Sequence, residues 1–154
     1  MNFEELYQDL VLDHSRRPRN YGELPEAQVH VHGDNPMCGD EVTVHLHVGD
    51  GQVIDGLKFT GSGCSICMAS ASLMTQRLRN KTRAEAGEIA SRFHALLTDE
   101  QPSEADPRLG DAAVLGTVRK FPQRVKCATL PWHALKEALA VSEQGGTDRQ
   151  ISIE

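Results

Sequence analysis

Four cysteines carry the chemistry this chain can do: Cys38, Cys64, Cys67 and Cys127. Each stands in a distinctive setting. Asn35-Pro36-Met37-Cys38-Gly39-Asp40 reads as a turn feeding a strand, and across flexible Gly39 the side chains of Cys38 and Asp40 can face one side. Cys64 follows Gly61-Ser62-Gly63, where an extended run breaks and a helix rich in small residues begins. Unpaired backbone N–H groups and the helix dipole at such a junction favour a thiolate. Cys127 stands near the start of the last helix.

Three thiolates and the Asp40 carboxylate make a tetrahedral set suited to zinc, at ligand distances of roughly 2.0–2.3 Å. Cys67, three residues beyond Cys64, shares its helix face and offers a second solution, a plain Cys₄ site. The choice matters. A closed Cys₄ zinc is inert, whereas a carboxylate is a harder, more replaceable ligand whose exchange can release a thiolate. Sequence chemistry favours Asp40 and leaves Cys67 open. The competing explanation is that the cysteines serve only as small buried hydrophobes.

Other residues offer less. His45 and His47 alternate with Val44, Leu46 and Val48, which places them on a solvated strand face, and His30 and His32 behave alike. His94 and His133 lie on helices without metal-type spacing, and His14 serves the end of the first helix. No phosphate-binding glycine loop and no Ser-His-Asp constellation is present. Arg16, Arg17 and Arg19 form a basic cluster on an acidic chain, either a docking patch for an acidic partner or a solvated helix end whose dipole favours cations.

The 154 residues, 39% hydrophobic and 25% charged, fit one globular domain. A net charge of −6 with no basic patch argues against nucleic acid, and no apolar run approaches a membrane span. The acidic amphipathic start lacks the character of a leader, so the expected location is cytoplasmic. Cysteines in that reducing setting are metal-binding or reactive before they are disulfide-bonded.

Periodicity sets out the elements that must position these groups. A helix spans about residues 3–15, with Asn2 and Glu5 as a capping box. Strands follow over residues 27–33, 41–48 and 53–60, the last two joined through Gly49-Asp50-Gly51. A helix over 65–79 precedes a second opened by the Thr82/Glu85 capping box and running to Leu97. Residues 98–110 read as a surface loop, and 111–115 as a short helix. Pro122 opens a last helix to Ser142, and Pro131 within it cannot donate to the Cys127 carbonyl. The expected fold is α+β: a three-stranded antiparallel sheet with helices packed on one face. It forms a single domain over residues 1–143, followed by a flexible tail over 144–154.

The ordered set Asn35–Asp40, Gly61–Ser70 and Arg124–Leu130 resembles the SufU-type branch of the IscU/NifU-N-terminal family of iron–sulfur cluster assembly proteins. Leu6-Tyr7, His14, Pro18-Arg19-Asn20 and the run from Gly110-Asp111 to Lys120-Phe121-Pro122 are similar too, so the likeness spans about residues 3–140. An extra segment near 98–118, Lys126 where the scaffold branch has histidine, and the absence of its Leu-Pro-Pro-Val-Lys chaperone motif resemble SufU. The resemblance implies a zinc site of Cys38, Asp40, Cys64 and Cys127. It also implies a partner, a pyridoxal-phosphate cysteine desulfurase of the SufS type whose histidine takes over a zinc position and frees Cys38 to accept sulfur. Cys67 would then be an accessory thiol.

Three functions compete. The chain is expected to be a zinc-dependent sulfurtransferase that accepts persulfide sulfur and passes it to a downstream scaffold or apo-proteins. It could instead be a scaffold that builds a [2Fe–2S] cluster, with iron at the same ligands, or a zinc-stapled interaction module.

Overall fold

The computed structural model describes residues 3–99 and 106–153. Helix α1 (Phe3–Arg16) leads to strands β1 (Val29–Asn35), β2 (Asp40–Val48) and β3 (Ile54–Ser62). Helices α2 (Ser65–Leu78) and α3 (Arg83–Thr98), a 3-10 segment (Pro107–Lys120), α4 (Pro122–Glu143) and β4 (Asp148–Ser152) complete the order. Asn2 of the expected first capping box lies outside the described residues, as do residues 100–105 of the expected surface loop. The expected short helix at 111–115 belongs to the 3-10 segment, which Gly110 breaks in two at φ +56.

Valines at alternate positions give β1 and β2 their buried face: Val29, Val31, Val42 and Val44 are inaccessible to solvent. Helix α4 lies against β1 and β2, and α2 packs between α4 and α1. Only a helix of small residues fits there. Ala69, Ser70, Ala71, Ser72 and Thr75 are buried in succession, so α2 presents apolar surface on more than one side. Its buried hydroxyls have partners: Ser70 donates to the Ala128 carbonyl, and Trp132 Nε1 donates to Ser70 Oγ at 3.0 Å. The Thr82/Glu85 capping box forms as expected, each side chain accepting from the other's backbone N–H.

The sheet departs from the expected three antiparallel strands. It has four, ordered β3-β2-β1-β4, with β4 parallel to β1 and the other pairs antiparallel. The added strand lies in the stretch read as a flexible tail. Gly145, at φ +77, ends α4 and turns the chain back, and Gly146 N–H donates to the Val141 carbonyl at 2.9 Å. Ile151 then packs over Gly33, the β1 residue whose missing side chain leaves room for it. Arg149 pairs with Glu137 of α4 at 2.6 Å.

The second sheet face also differs from its solvated expectation. His45 is only 6% exposed. Its Nδ1 lies 2.7 Å from His30 Nδ1, one ring donating and the other accepting, and its Nε2 lies 2.9 Å from Thr60 Oγ1. His32 is bonded to Thr43, and His47 to Asp55. These pairs explain why imidazoles tolerate the site: polar groups withdrawn from water need partners.

Candidate metal centre

Three elements bring their ends together. The first is the β1–β2 hairpin, whose terminal residues Asn35 and Asp40 are register partners. Between them the chain turns tightly: the Asn35 carbonyl accepts from Cys38 N–H at 3.1 Å and from Gly39 N–H at 2.9 Å. Gly39 adopts φ +72, a conformation glycine takes without strain. Cys38 is thus held exposed at the tip, while Asp40, one residue beyond Gly39, points into the protein at 1% exposure.

The second is the β3–α2 junction. Gly61, at φ +142, passes so close to β2 that a Cβ would meet the Glu41 carbonyl oxygen at 2.2 Å. At Gly63 a Cβ would meet Asp40 Oδ1 at 2.6 Å. Two glycines are therefore what lets this junction approach the carboxylate. The approach ends in a hydrogen bond, Cys64 N–H to Asp40 Oδ1 at 2.9 Å. Cys64 caps α2, its Sγ accepting from Cys67 N–H at 3.4 Å.

The third is the start of α4, where Cys127 is fully buried. One ligand atom from each of Cys38, Asp40 and Cys127 lies within 4.8 Å of the others, and this is the one such group of three among the described residues. Cys64 stands beside it, tied to Asp40 through its backbone, with its sulfur outside that spacing. Cys67 is outside it too, fully buried in the core.

The electrostatics of the cluster ask for a cation. Asp40 Oδ2 is buried and has no hydrogen-bond partner, an arrangement a native protein retains only for a reason. Burial, followed by the proximity of the Asp40 carboxylate and the charge of Cys64, pushes the Cys127 thiol far up. An unpartnered carboxylate oxygen among thiols fits a divalent, borderline-soft metal, and the donors are those zinc prefers.

Sequence reading left two neighbours without a role. Arg124 lies against the sulfurs of Cys64 and Cys127, whose charges raise its pKa. The signal was present, since position 124 is one helical turn before 127 and shares its face. Tyr7 of α1 comes within electrostatic reach of Arg124 and Cys64, and burial pushes its phenol up. Its distance in sequence hid it. Of the three clustered arginines, Arg17 and Arg19 both pair with Asp13, at 3.3 and 2.7 Å, while Arg16 is exposed. His94 and His133 meet edge to face with ring centroids 5.3 Å apart, but no third metal-ligating group joins them among the described residues. His14 is buried, its Nδ1 2.7 Å from Ser72 Oγ.

An α+β domain that gathers thiols and one carboxylate at a hairpin tip and two helix starts has the donor set of a metal–thiolate site. The chain belongs to the NifU-like N terminal domain family, whose model matches residues 6–140. It is 40% identical over 145 residues to the zinc-dependent sulfurtransferase SufU of Bacillus subtilis (strain 168), covering 94% of this chain and 96% of that one. It is 38% identical over 148 residues to the iron-sulfur cluster assembly scaffold protein IscU of Streptococcus pyogenes serotype M1, covering 95% and 91%. Among solved structures, the SufU protein of Fervidobacterium islandicum AW-1, assigned to the SUF system, superposes with a TM-score of 0.80 at 33% identity, covering 88% of this chain and 98% of that one. No helix among the described residues is long and apolar enough to cross a membrane.

Proposed function

We propose that this chain serves iron–sulfur cluster assembly as a sulfur acceptor, taking sulfane sulfur from a cysteine desulfurase onto Cys38. The observation that carries this reading is the asymmetry of the cluster: among its three convergent groups, Cys38 is exposed while Asp40 and Cys127 are buried. A sulfur that must meet another protein has to be the accessible one. The SufU relative, named a zinc-dependent sulfurtransferase, supports both the metal and the chemistry.

In this reading Cys38, Asp40 and Cys127 hold zinc, and Cys64 at the neighbouring helix cap completes the set. Bound zinc would keep the cysteine sulfurs deprotonated without redox chemistry of its own. The chain's residues do the rest. The turn bonded to the Asn35 carbonyl presents Cys38 outward. Its thiolate attacks the terminal sulfur of the desulfurase persulfide, forming a sulfur–sulfur bond on Cys38. The bond to the desulfurase cysteine breaks, and that cysteine leaves as a thiolate. Sulfur changes carrier with no net oxidation. Arg124 supplies positive charge beside the Cys64 and Cys127 sulfurs, and Asp40 keeps the β3–α2 junction in place through the Cys64 N–H.

Alanine formation by a SufS-type desulfurase tests the reading. Zinc-loaded protein should stimulate it strongly, with a persulfide mapped by mass spectrometry to Cys38, and Cys38→Ala should abolish both. Full stimulation by that variant would sink the role of Cys38.

A scaffold function is the second reading, favoured by the IscU relative and by a donor set that can also hold a [2Fe–2S] cluster. Anaerobic reconstitution with iron and sulfide separates the two. A chromophore that transfers to an apo-ferredoxin supports the scaffold, and aggregated iron alone counts against it.

A further inference from the structure

Cys67 has no part in the sulfur-acceptor reading, yet it lies directly beneath Cys64. We propose that Cys64 and Cys67 are a dithiol that peroxide oxidises to a disulfide, reversibly withdrawing Cys64 from the metal-binding set.

The helix start supplies the geometry. Cys64 is the N-cap and Cys67 lies in the first turn of α2, with its N–H directed at Cys64 Sγ. Residues three apart at a helix start are neighbours on one face, the spacing of the Cys-X-X-Cys redox motif. No element has to move. The cluster offers one alternative, Cys38 with Cys127. Their sulfurs lie within 4.8 Å of each other, but on separate elements, a hairpin tip and α4, which would have to close the remaining gap to about 2 Å.

Exposure divides the labour. Cys64 is half-buried and open to a small oxidant, whereas Cys67 has 0% exposure and cannot meet one. An accessible first thiol with a sheltered second is the arrangement that resolves a sulfenic acid before it oxidises further. The Cys64 thiolate attacks one peroxide oxygen and the O–O bond breaks. Hydroxide leaves and takes up a proton to become water, and Cys64 becomes a sulfenic acid. The Cys67 sulfur then attacks the Cys64 sulfur, forming the disulfide and expelling the hydroxyl, which departs as water with the Cys67 proton. Two thiols lose two electrons, and one peroxide becomes two waters.

The disulfide stands on this geometry alone; its effect on the metal rests on the zinc reading above. The test uses the full zinc-loaded chain, treated with hydrogen peroxide, quenched with a thiol alkylator and digested with trypsin. One peptide, Phe59–Arg77, carries both cysteines. It should appear without alkylator and lighter by two hydrogens, reverting on treatment with dithiothreitol, while Cys38 and Cys127 are recovered alkylated. A chromogenic chelator should register zinc release in step. Cys67→Ser should instead accumulate sulfinic acid at Cys64, which dithiothreitol does not reverse. A Cys38–Cys127 cross-link, or Cys67 recovered alkylated beside an oxidised Cys64, overturns the proposal. The wild-type peptide map decides this even if the variant fails to fold. A disulfide formed with no zinc released supports the dithiol and removes Cys64 from the zinc ligands instead.

Discussion

At Gly63 a single hydrogen decides whether the site can assemble. A methyl group there would press on Asp40 Oδ1 at 2.6 Å, so Gly63→Ala must push either the carboxylate or the β3–α2 junction away. Metal affinity should fall by at least about tenfold, the equivalent of roughly 1.4 kcal/mol. Global stability should change far less, because the strain is confined to a junction beside the core. Competitive chelator titration measures the first and urea unfolding the second; equal affinity for wild type and variant would show that Asp40 can shift freely. Much of the site's chemistry was legible at this scale, because cysteines flanked by glycines and an aspartate two residues on are rare combinations. What spacing did not decide was which groups converge. Cys67 looks equivalent to Cys64 in sequence, and neither sulfur joins the convergent set, but Cys67 lies one turn into α2 on a wall of the core while Cys64 caps the helix beside Asp40. That difference is tertiary, and a one-dimensional pattern does not carry it.

Among the elements, α3 shows local sequence determining local structure. Thr82 and Glu85 satisfy each other's backbone donors, and α3 starts where they say it should. Thr82→Ala should remove about 1 kcal/mol, a fall of roughly 2–4 °C in the midpoint of thermal unfolding, with zinc content unchanged. Differential scanning calorimetry beside metal analysis checks both. The cap lies at the far end of a helix that supplies no ligand, so a loss of metal would mean that α3 and the site are coupled. Strand β4 shows the opposite case. Its five residues, Asp148–Ser152, are polar apart from Ile151 and follow two glycines, the composition of a tail. Only Gly33, on a strand more than a hundred residues away, makes room for Ile151. The alternation of Ile151 and Ile153 was the one available signal, too short to read without its partner. The histidines of the second sheet face were misread for a related reason. Alternation gives the face a side chain points to, and says nothing about the cross-strand imidazole that meets it there.

The molecule as a whole should be sensitive to mild acid. Burial lowers the pKa of His14, His45 and His133, assisted by neighbouring basic groups: Arg19 at His14, His30 at His45, and His94 then Lys136 at His133. A histidine whose folded pKa lies below its unfolded value of about 6.5 binds its proton more readily in the unfolded chain. The stability it contributes is complete above that value and is lost as pH falls through the folded pKa. Urea midpoints should therefore hold near neutrality and drop progressively below about pH 6.5, with His45→Gln flattening part of the decline. A midpoint unchanged to about pH 5 would show that these rings become protonated without strain.

Strand β4 also has a bearing on solubility. Without it, β1 would end the sheet, presenting the N–H and C=O groups of a strand built on Val29 and Val31. Such an edge is a template for pairing with another chain. β4 covers it with Asp148, Arg149 and Gln150, a charged and polar border that discourages further strand addition. The opposite border, β3, is partly closed by the bridge between Tyr21 and Phe59. Cutting the chain after Glu143, outside the family-matched span, would spare every cysteine. It would convert a protected border into an adhesive one. Light scattering on the truncated protein should reveal self-association where the full chain stays dispersed.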